Sequence, residues 1–291
     1  DAVKKYKIAF QTGSQRRSMA GHRRGCELIR NGVIGKIEKV IGMNFPSPWL
    51  MDLPGQPAPE GLDWEQWCGP APVVPYHIDL YTPRRNPGWL SVWPYSGGEM
   101  TGWGAHGLDQ IQWALGYDDG GPVEIWCEDG KYEMPVFDKP ISVGEGNAMF
   151  RNKWKVHYRY PKGVEVVLDN GSGAGGIFIG EKGRIEIRGG EFAASPKELA
   201  DVELPADAIQ LGTGDNHMEN WFACMKSGES PVANAEVGHR SITVCHLCNI
   251  ARWLGRPIRW DPAQETFPGD EEANGYLDIE RRKGYELPLP V

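Results

Sequence analysis

Apolar positions along the chain switch between two periods, and the switches mark out elements. From residue 19 to 35, Cys26, Leu28, Ile29 and Val33 recur at helical spacing, with Asn31-Gly32 as a stop signal. KIEKVIGMNF (36–45) then alternates with period two, as a half-buried strand does. The same alternation recurs in VEIWCED (123–129), NAMFRNKWKVHYRY (147–160), VEVVLDN (164–170), GIFIGEKGRIEIRG (176–189) and DVELP (201–205). Helical spacing returns in a segment opening at His106, where Leu108, Ile111, Gln112 and Leu115 recur, and again at 216–228 and 235–255. Near the start, residues 1–5 end like a helix and KIAFQTG (7–13) reads as a short buried strand running into a glycine turn.

Turn chemistry joins the strands. Pro161-Lys162-Gly163 and Lys182-Gly183 sit where hairpins would close, so neighbouring strands are expected to run antiparallel. The pattern predicts an α+β fold, with about six mainly antiparallel strands in an open sheet and the helices on one face. The bare sheet face is then expected to be a subunit interface, giving a homo-oligomer. Residues 46–94 are irregular and rich in Pro, Trp and Gly, with room for one short helix in 61–72; residues 256–291 read as a wrap.

Composition narrows the function classes. A net charge of −8 argues against nucleic acid or an anionic membrane as main partner, and no run of 18 apolar residues occurs. The six cysteines are too sparse for a disulfide scaffold. Cys245 and Cys248 form a C-x-x-C inside a helical pattern with no second pair, which favours packed thiols over a metal or redox centre. Twelve tryptophans among 38 glycines and 23 prolines fit either aromatic core packing or a sugar-facing surface.

Two glycine-rich stretches invite chemistry. GSGAGG (171–176) matches the dinucleotide fingerprint G-x-G-x-x-G, but that motif needs a helix next, whose N-terminus holds the pyrophosphate. The continuation, IFIGEKGRIEI, has strand period, so the loop is expected to connect strands instead. In GGEMTGWGAHGLDQIQWALG (97–116), glycines lead into a helix with His106 at its mouth. A ring there is kept nearer neutral by the helix dipole and can accept a proton. A histidine that only caps and packs is the alternative.

The chain resembles the Gfo/Idh/MocA family of oxidoreductases, the glucose–fructose oxidoreductase and inositol dehydrogenase group. FQTGSQRRS (10–18), ELIRNGVIGKIEKV (27–40), the stretch at 97–116 and GEKGRIEI (180–187) carry the resemblance. GHRSITVCHLCNIARWLGRPIRWDP (238–262) is similar to its bacterial, planctomycete-like branch. The resemblance implies that residues 1–18 are the end of a nucleotide-binding domain. Residues 19–291 would form a substrate-binding and oligomerisation domain with a long insertion at 46–94. It also implies NAD or NADP, held mainly by residues upstream of Asp1, and a sugar or cyclitol substrate. The chain's start, without Met, reads as a cut, and the compartment is left open.

By the same resemblance His106 is the catalytic histidine, and the aspartate the family carries four residues earlier is Gly102 here. Asp109 also matches, as a brace for the loop or a substrate contact. The family's Glu-Lys-Pro lysine has only a look-alike in Asp138-Lys139-Pro140, on the wrong side of the histidine. Arg16 and Arg17, following the expected strand, are candidates for substrate contact, as are Trp103 as a pocket wall and Tyr76 and His77 in the insertion. His217 at a helix start is a further candidate. No metal ligand set is expected. Two other readings stay open at this point: a glycoside-processing enzyme using transient NAD-dependent oxidation, and a non-catalytic sugar-binding or scaffold protein.

Overall fold

The structure is a computed structural model that describes residues 1–171, 175–212 and 214–287. In chain order the helices are α1 (Ala2–Tyr6), α2 (Ala20–Arg30), α3 (Trp64–Cys68), α4 (Ile78–Tyr81), α5 (Trp103–Leu115), α6 (Val143–Met149), α7 (His217–Ser227), α8 (Ala235–Leu254) and α9 (Glu271–Asn274). The strands are β1 (Ile37–Met43), β2 (Leu50–Met51), β3 (Glu124–Cys127), β4 (Val136–Phe137), β5 (Val156–Arg159), β6 (Glu165–Asp169), β7 (Gly176–Gly180), β8 (Gly183–Arg188), β9 (Glu191–Ser195) and β10 (Ile258–Arg259).

Eight strands form one open sheet in the order β10-β3-β5-β6-β1-β7-β8-β9. Every pair in it is antiparallel except the central β1–β6, where Val40 faces Val166 and Met43 faces Asp169. Alternation gives the sheet two unlike faces. On one, Val40, Ile125, Tyr158, Val166, Phe178 and Ile185 are fully buried beneath α2, α5 and α8, which pack on this side. The helices approach closely where side chains are missing. A Cβ on Gly42 would lie 2.7 Å from Leu168 and 3.1 Å from Ile111, so α5 rests directly on β1. The opposite face mixes Ile41, Trp126, Ile177 and Ile179, all half-buried, with a polar group centred on His157. Its ring stacks on Trp126 at 5.1 Å and reaches Glu128 at 2.7 Å and Glu165 at 3.1 Å.

The α+β layout, with helices segregated to one face, agrees with the sequence pattern, and the differences have local causes. Lys7–Gly13 is irregular, not a strand. Its backbone is tied sideways instead: the Thr12 N–H donates to Ala233 O at 2.8 Å, and the Trp221 indole donates to Ala9 O at 3.0 Å. The first half of 147–160 is the end of α6 and a run of turns, because Ser142 and Glu145 form a capping box that starts a helix at Val143. Residues 201–205 lie outside any strand. The period-two pattern of β9, broken from β8 only by Gly189-Gly190, went unread, and β10 is too short to show a period. The irregular insertion holds α3 within the expected 61–72 stretch.

Candidate active site

The long α8 helix fixes the loops that frame α5. Asn249 and Arg252 are both fully buried. The Asn249 amide donates to Gly97 O at 2.7 Å and accepts from the Ser47 hydroxyl at 2.7 Å. Arg252 donates to Phe45 O at 2.9 Å, to Ser47 Oγ at 3.1 Å and to the Asn44 side chain. A buried guanidinium needs such a full set of acceptors to offset its desolvation. Gly98 completes the arrangement: at φ +76° it lets the chain pass so near Pro48 that a Cβ would lie 2.5 Å from its nitrogen.

Helix α5 opens at Gly102, a cap with no side chain to offer. The carboxylate of Glu99, 1% exposed, takes that place: its Oε2 accepts from the Trp103 N–H at 3.4 Å, and its Oε1 accepts from Arg84 Nε at 2.8 Å. A Cβ on Gly102 would lie only 2.9 Å from Glu99 Oε2 and 3.3 Å from Arg84 Nη2. The glycine thus leaves room for an acid supplied from three residues upstream. Sequence reasoning passed over Glu99, although a lone acid inside a glycine-rich helix entry was a usable signal.

His106 lies in the first turn of α5, its ring 5.8 Å from that of Trp103. Burial lowers its pKa below the ordinary 6.5, Arg16 lowers it further, Asp109 opposes, and Arg84 adds to the lowering. The ring is therefore neutral at pH 7 and able to accept a proton. Trp103, exposed, stands between two guanidinium groups, Arg16 at 5.9 Å and Arg84 at 5.4 Å. His106 walls a cavity of about 460 Å³ together with Thr12, Ser14, Thr101, Gly102 and Ser241.

The expected site residues fall into three groups. His106, Trp103 and Arg16 come together around the mouth of α5. Arg17 and Asp109 lie one layer beneath, 2% and 1% exposed, so neither meets a ligand as a substrate contact would. Arg17 Nε donates to both Asp109 oxygens at 2.9 and 3.0 Å, its Nη2 reaches Asp118 at 2.8 Å, and the Ser241 hydroxyl donates to Asp109 at 2.7 Å. Burial alone would lower the pKa of Arg17, but Asp109 and Asp118 outweigh it and hold the group above its ordinary value. Asp109 thus joins Arg17 of the first residues to Ser241 of α8 beneath the mouth of α5.

The third group lies elsewhere. His77 caps α4, accepting from the Asp79 N–H at 3.1 Å, and Tyr76 packs edge-on to Trp64 at 5.0 Å. Both are buried in the insertion, Tyr76 among the rings of Trp64 and Tyr81 and His77 against Asp79. His217 bridges Ser18 Oγ at 3.1 Å and Thr12 O at 2.9 Å, pinning the first residues to α7. None of the three lines the His106 cavity. Cys245 and Cys248 are wholly buried in the core, and burial pushes the Cys248 thiol up to about 12. Such protonated thiols are packing groups. Gly173 of the glycine loop lies outside the described residues; the loop's described ends belong to the connection from β6 into β7, with no helix following.

An open sheet backed on one face by helices defines a two-layer α+β domain, with His106 in the wall of a cavity at the mouth of α5. The family profile described as "Oxidoreductase family, C-terminal alpha/beta domain" matches residues 26–287, and the chain belongs to this Gfo/Idh/MocA family. Among curated proteins none matches it in sequence. Solved structures are similar to it at low identity. The aldose-aldose oxidoreductase from Caulobacter crescentus, complexed with glycerol, has 14% identity and a TM-score of 0.50, over 89% of this chain and 66% of that one. The myo-inositol 2-dehydrogenase from Lactobacillus plantarum has 14% identity and a TM-score of 0.46, over 89% and 67%. A putative NADPH-dependent oxidoreductase from Desulfitobacterium hafniense has 16% identity and a TM-score of 0.48, over 88% and 66%. The chain thus spans about two thirds of the length of these proteins.

Proposed function

We propose that this chain is the substrate-binding and oligomerisation part of an NAD(P)-dependent oxidoreductase acting on a sugar or cyclitol hydroxyl. The observation that carries the reading is His106, held neutral in the wall of the cavity at the mouth of α5 in a chain of this oxidoreductase family. Its role is to accept the proton of the substrate hydroxyl as the carbon is oxidised. Thr12, Ser14 and Thr101 offer hydroxyl oxygens to a polyol, and Trp103 stands beside the His106 ring at the mouth of α5.

The described ends of the glycine loop join β6 to β7, so no helix N-terminus follows it to hold the phosphates of a dinucleotide. The reading assigns the nucleotide to a separate nucleotide-binding unit. A surface shared by Ile8, Phe10 and Met225, all exposed and continuing onto Met218 and Phe222 of α7, supports a unit packing there. The half-apolar sheet face around Trp126 supports a homo-oligomer.

The test is the protein expressed from its full reading frame, assayed with NAD and NADP on a panel of aldoses and cyclitols. His106→Asn is expected to lower turnover about 10²–10⁴-fold. Turnover within a few-fold of the unaltered protein on the best substrate would remove His106 from the reaction.

A further inference from the structure

A second cavity, about 620 Å³, runs along the outer face of α8. Ile242, His246, Ile250 and Trp253 form its floor, at helical spacing. Residues 93–97 make one wall and residues 276–281 the other. The lining residues of α8 extend from His239 to Trp253, roughly 21 Å at 1.5 Å per residue. His239 and Ile242 line both this groove and the His106 cavity, so the two spaces adjoin at the start of α8.

The groove's chemistry differs along its depth. Aromatic rings are presented by Trp93, Tyr95 and Tyr276, the last exposed. Glu265 at the rim pairs with Arg240 at 2.9 Å and lies 2.7 Å from the His239 ring, and Arg281 pairs with Asp278 at 2.7 Å. Acids and bases balance there, which disfavours a strongly charged ligand. Flat apolar rings below, with hydrogen-bonding groups of both signs above, match a molecule with apolar C–H faces and a hydroxylated edge. A pyranose ring has that make-up.

We infer that the groove along α8 is a second saccharide subsite, so that the substrate is a neutral oligosaccharide with its reacting ring at His106 and a ring further along the chain between Tyr276 and Trp93, beside Trp253. This deepens the function proposed above and rests on it for the identity of the reacting ring. A single cyclitol or hexose would occupy the His106 cavity and leave the groove unused.

The experiment is binding, without nucleotide or turnover. The expressed protein is applied to an array of neutral and acidic mono- to tetrasaccharides in both anomeric series, and the best ligand and its terminal monosaccharide are then titrated by calorimetry. Preference for a neutral oligosaccharide over its monosaccharide is expected. Tyr276→Ala should weaken the oligosaccharide roughly three- to tenfold by removing an aromatic contact. His246→Trp, at an exposed position on the groove floor, should weaken it at least as much by filling the groove, with monosaccharide affinity within twofold in both variants. Binding of nothing longer than one ring, of acidic glycans only, or of oligosaccharides with unchanged affinity in both variants would overturn the inference. Oligosaccharide binding without oxidation would leave the subsite standing and remove the oxidoreductase reading; oxidation of monosaccharides alone, with no gain from a second ring, would do the reverse.

Discussion

The carboxylate of Glu99 stands where a side chain on Gly102 would begin, its Oε2 2.9 Å from the position of that missing Cβ. The helix therefore keeps an acid at its mouth while lacking one at the position the family resemblance points to. Glu99 caps the Trp103 N–H and holds Arg84 over the Trp103 ring. Restoring an acid at position 102 should then harm the site. Gly102→Asp is expected to destabilise the protein by roughly 1–3 kcal/mol through overpacking against Glu99 and like-charge repulsion. Glu99→Ala with Gly102→Asp should recover most of that loss. Denaturant melts of the three proteins decide it, and a neutral single substitution would show that the carboxylate has another place to go.

The field around His106 can be measured directly. Burial, Arg16 and Arg84 depress its pKa in the folded protein below the ordinary 6.5. A histidine whose folded pKa is depressed binds fewer protons folded than unfolded as the pH falls through 6.5. Its contribution therefore costs stability below about pH 6.5 and is absent above it. Arg84→Gln should raise the pKa of His106, and Glu99→Gln, which leaves Arg84 without its counter-charge, should lower it further. A histidine NMR titration in which neither substitution moves His106 would show that these charges are screened from the ring.

Much of this arrangement was legible in the sequence, and the exceptions share a cause. Periodicity located α2, α5, α7, α8 and the strands β1, β6, β7 and β8, because each buries a regular face. The boundary of α6 was missed because a capping box at Ser142 and Glu145 overrode the strand-like run that follows. At the site, His106 and Trp103 were legible because they are close in sequence within one helix turn. The Glu99–Arg84 pair joins residues 15 positions apart, and Arg17 meets Asp109 across 92. A single sequence carries no signal for such long-range pairing. Tyr76, His77 and His217 were drawn toward the site by residue type alone, and their own neighbourhoods claim them.

The pair beneath the site should behave as a buried ion pair does. Asp109→Ala leaves Arg17, 2% exposed, with Asp118 alone and strands the Ser241 hydroxyl. A loss of about 3–5 kcal/mol is expected. Asp109→Asn keeps the acceptor for Ser241 and should cost less. Arg17→Met should also destabilise, and the double variant Arg17→Met with Asp109→Leu should lose less than the sum, because no charge is then left unpaired. Urea denaturation of the unaltered protein, Arg17→Met, Asp109→Leu and their double variant gives the coupling. Strict additivity would mean that the two side chains act independently, against the distances between them.

The sheet face away from the helices offers the last test. Ile41, Trp126, Ile177 and Ile179 lie half-buried there, and Val167 is 5% exposed even without a partner. Polar residues on the same face are already engaged with one another: His157 with Glu128 and Glu165, and Arg159 with Glu124 and Glu165. Lys39 and Arg184, both exposed, flank Ile179 on this face, while the charges around Trp126 are paired with one another. Covering the stretch around Ile41, Ile177 and Trp126 with a second copy would bury apolar surface beside charges that already have partners. An oligomer in light scattering is therefore expected. Ile179→Lys, at the centre of β7, should shift it toward monomer by putting unpaired charge into the contact, while far-ultraviolet circular dichroism stays unchanged because the side chain points away from the core. If Ile179→Lys leaves the mass unchanged, or the unaltered protein is a monomer at micromolar concentration, the face is not a subunit contact.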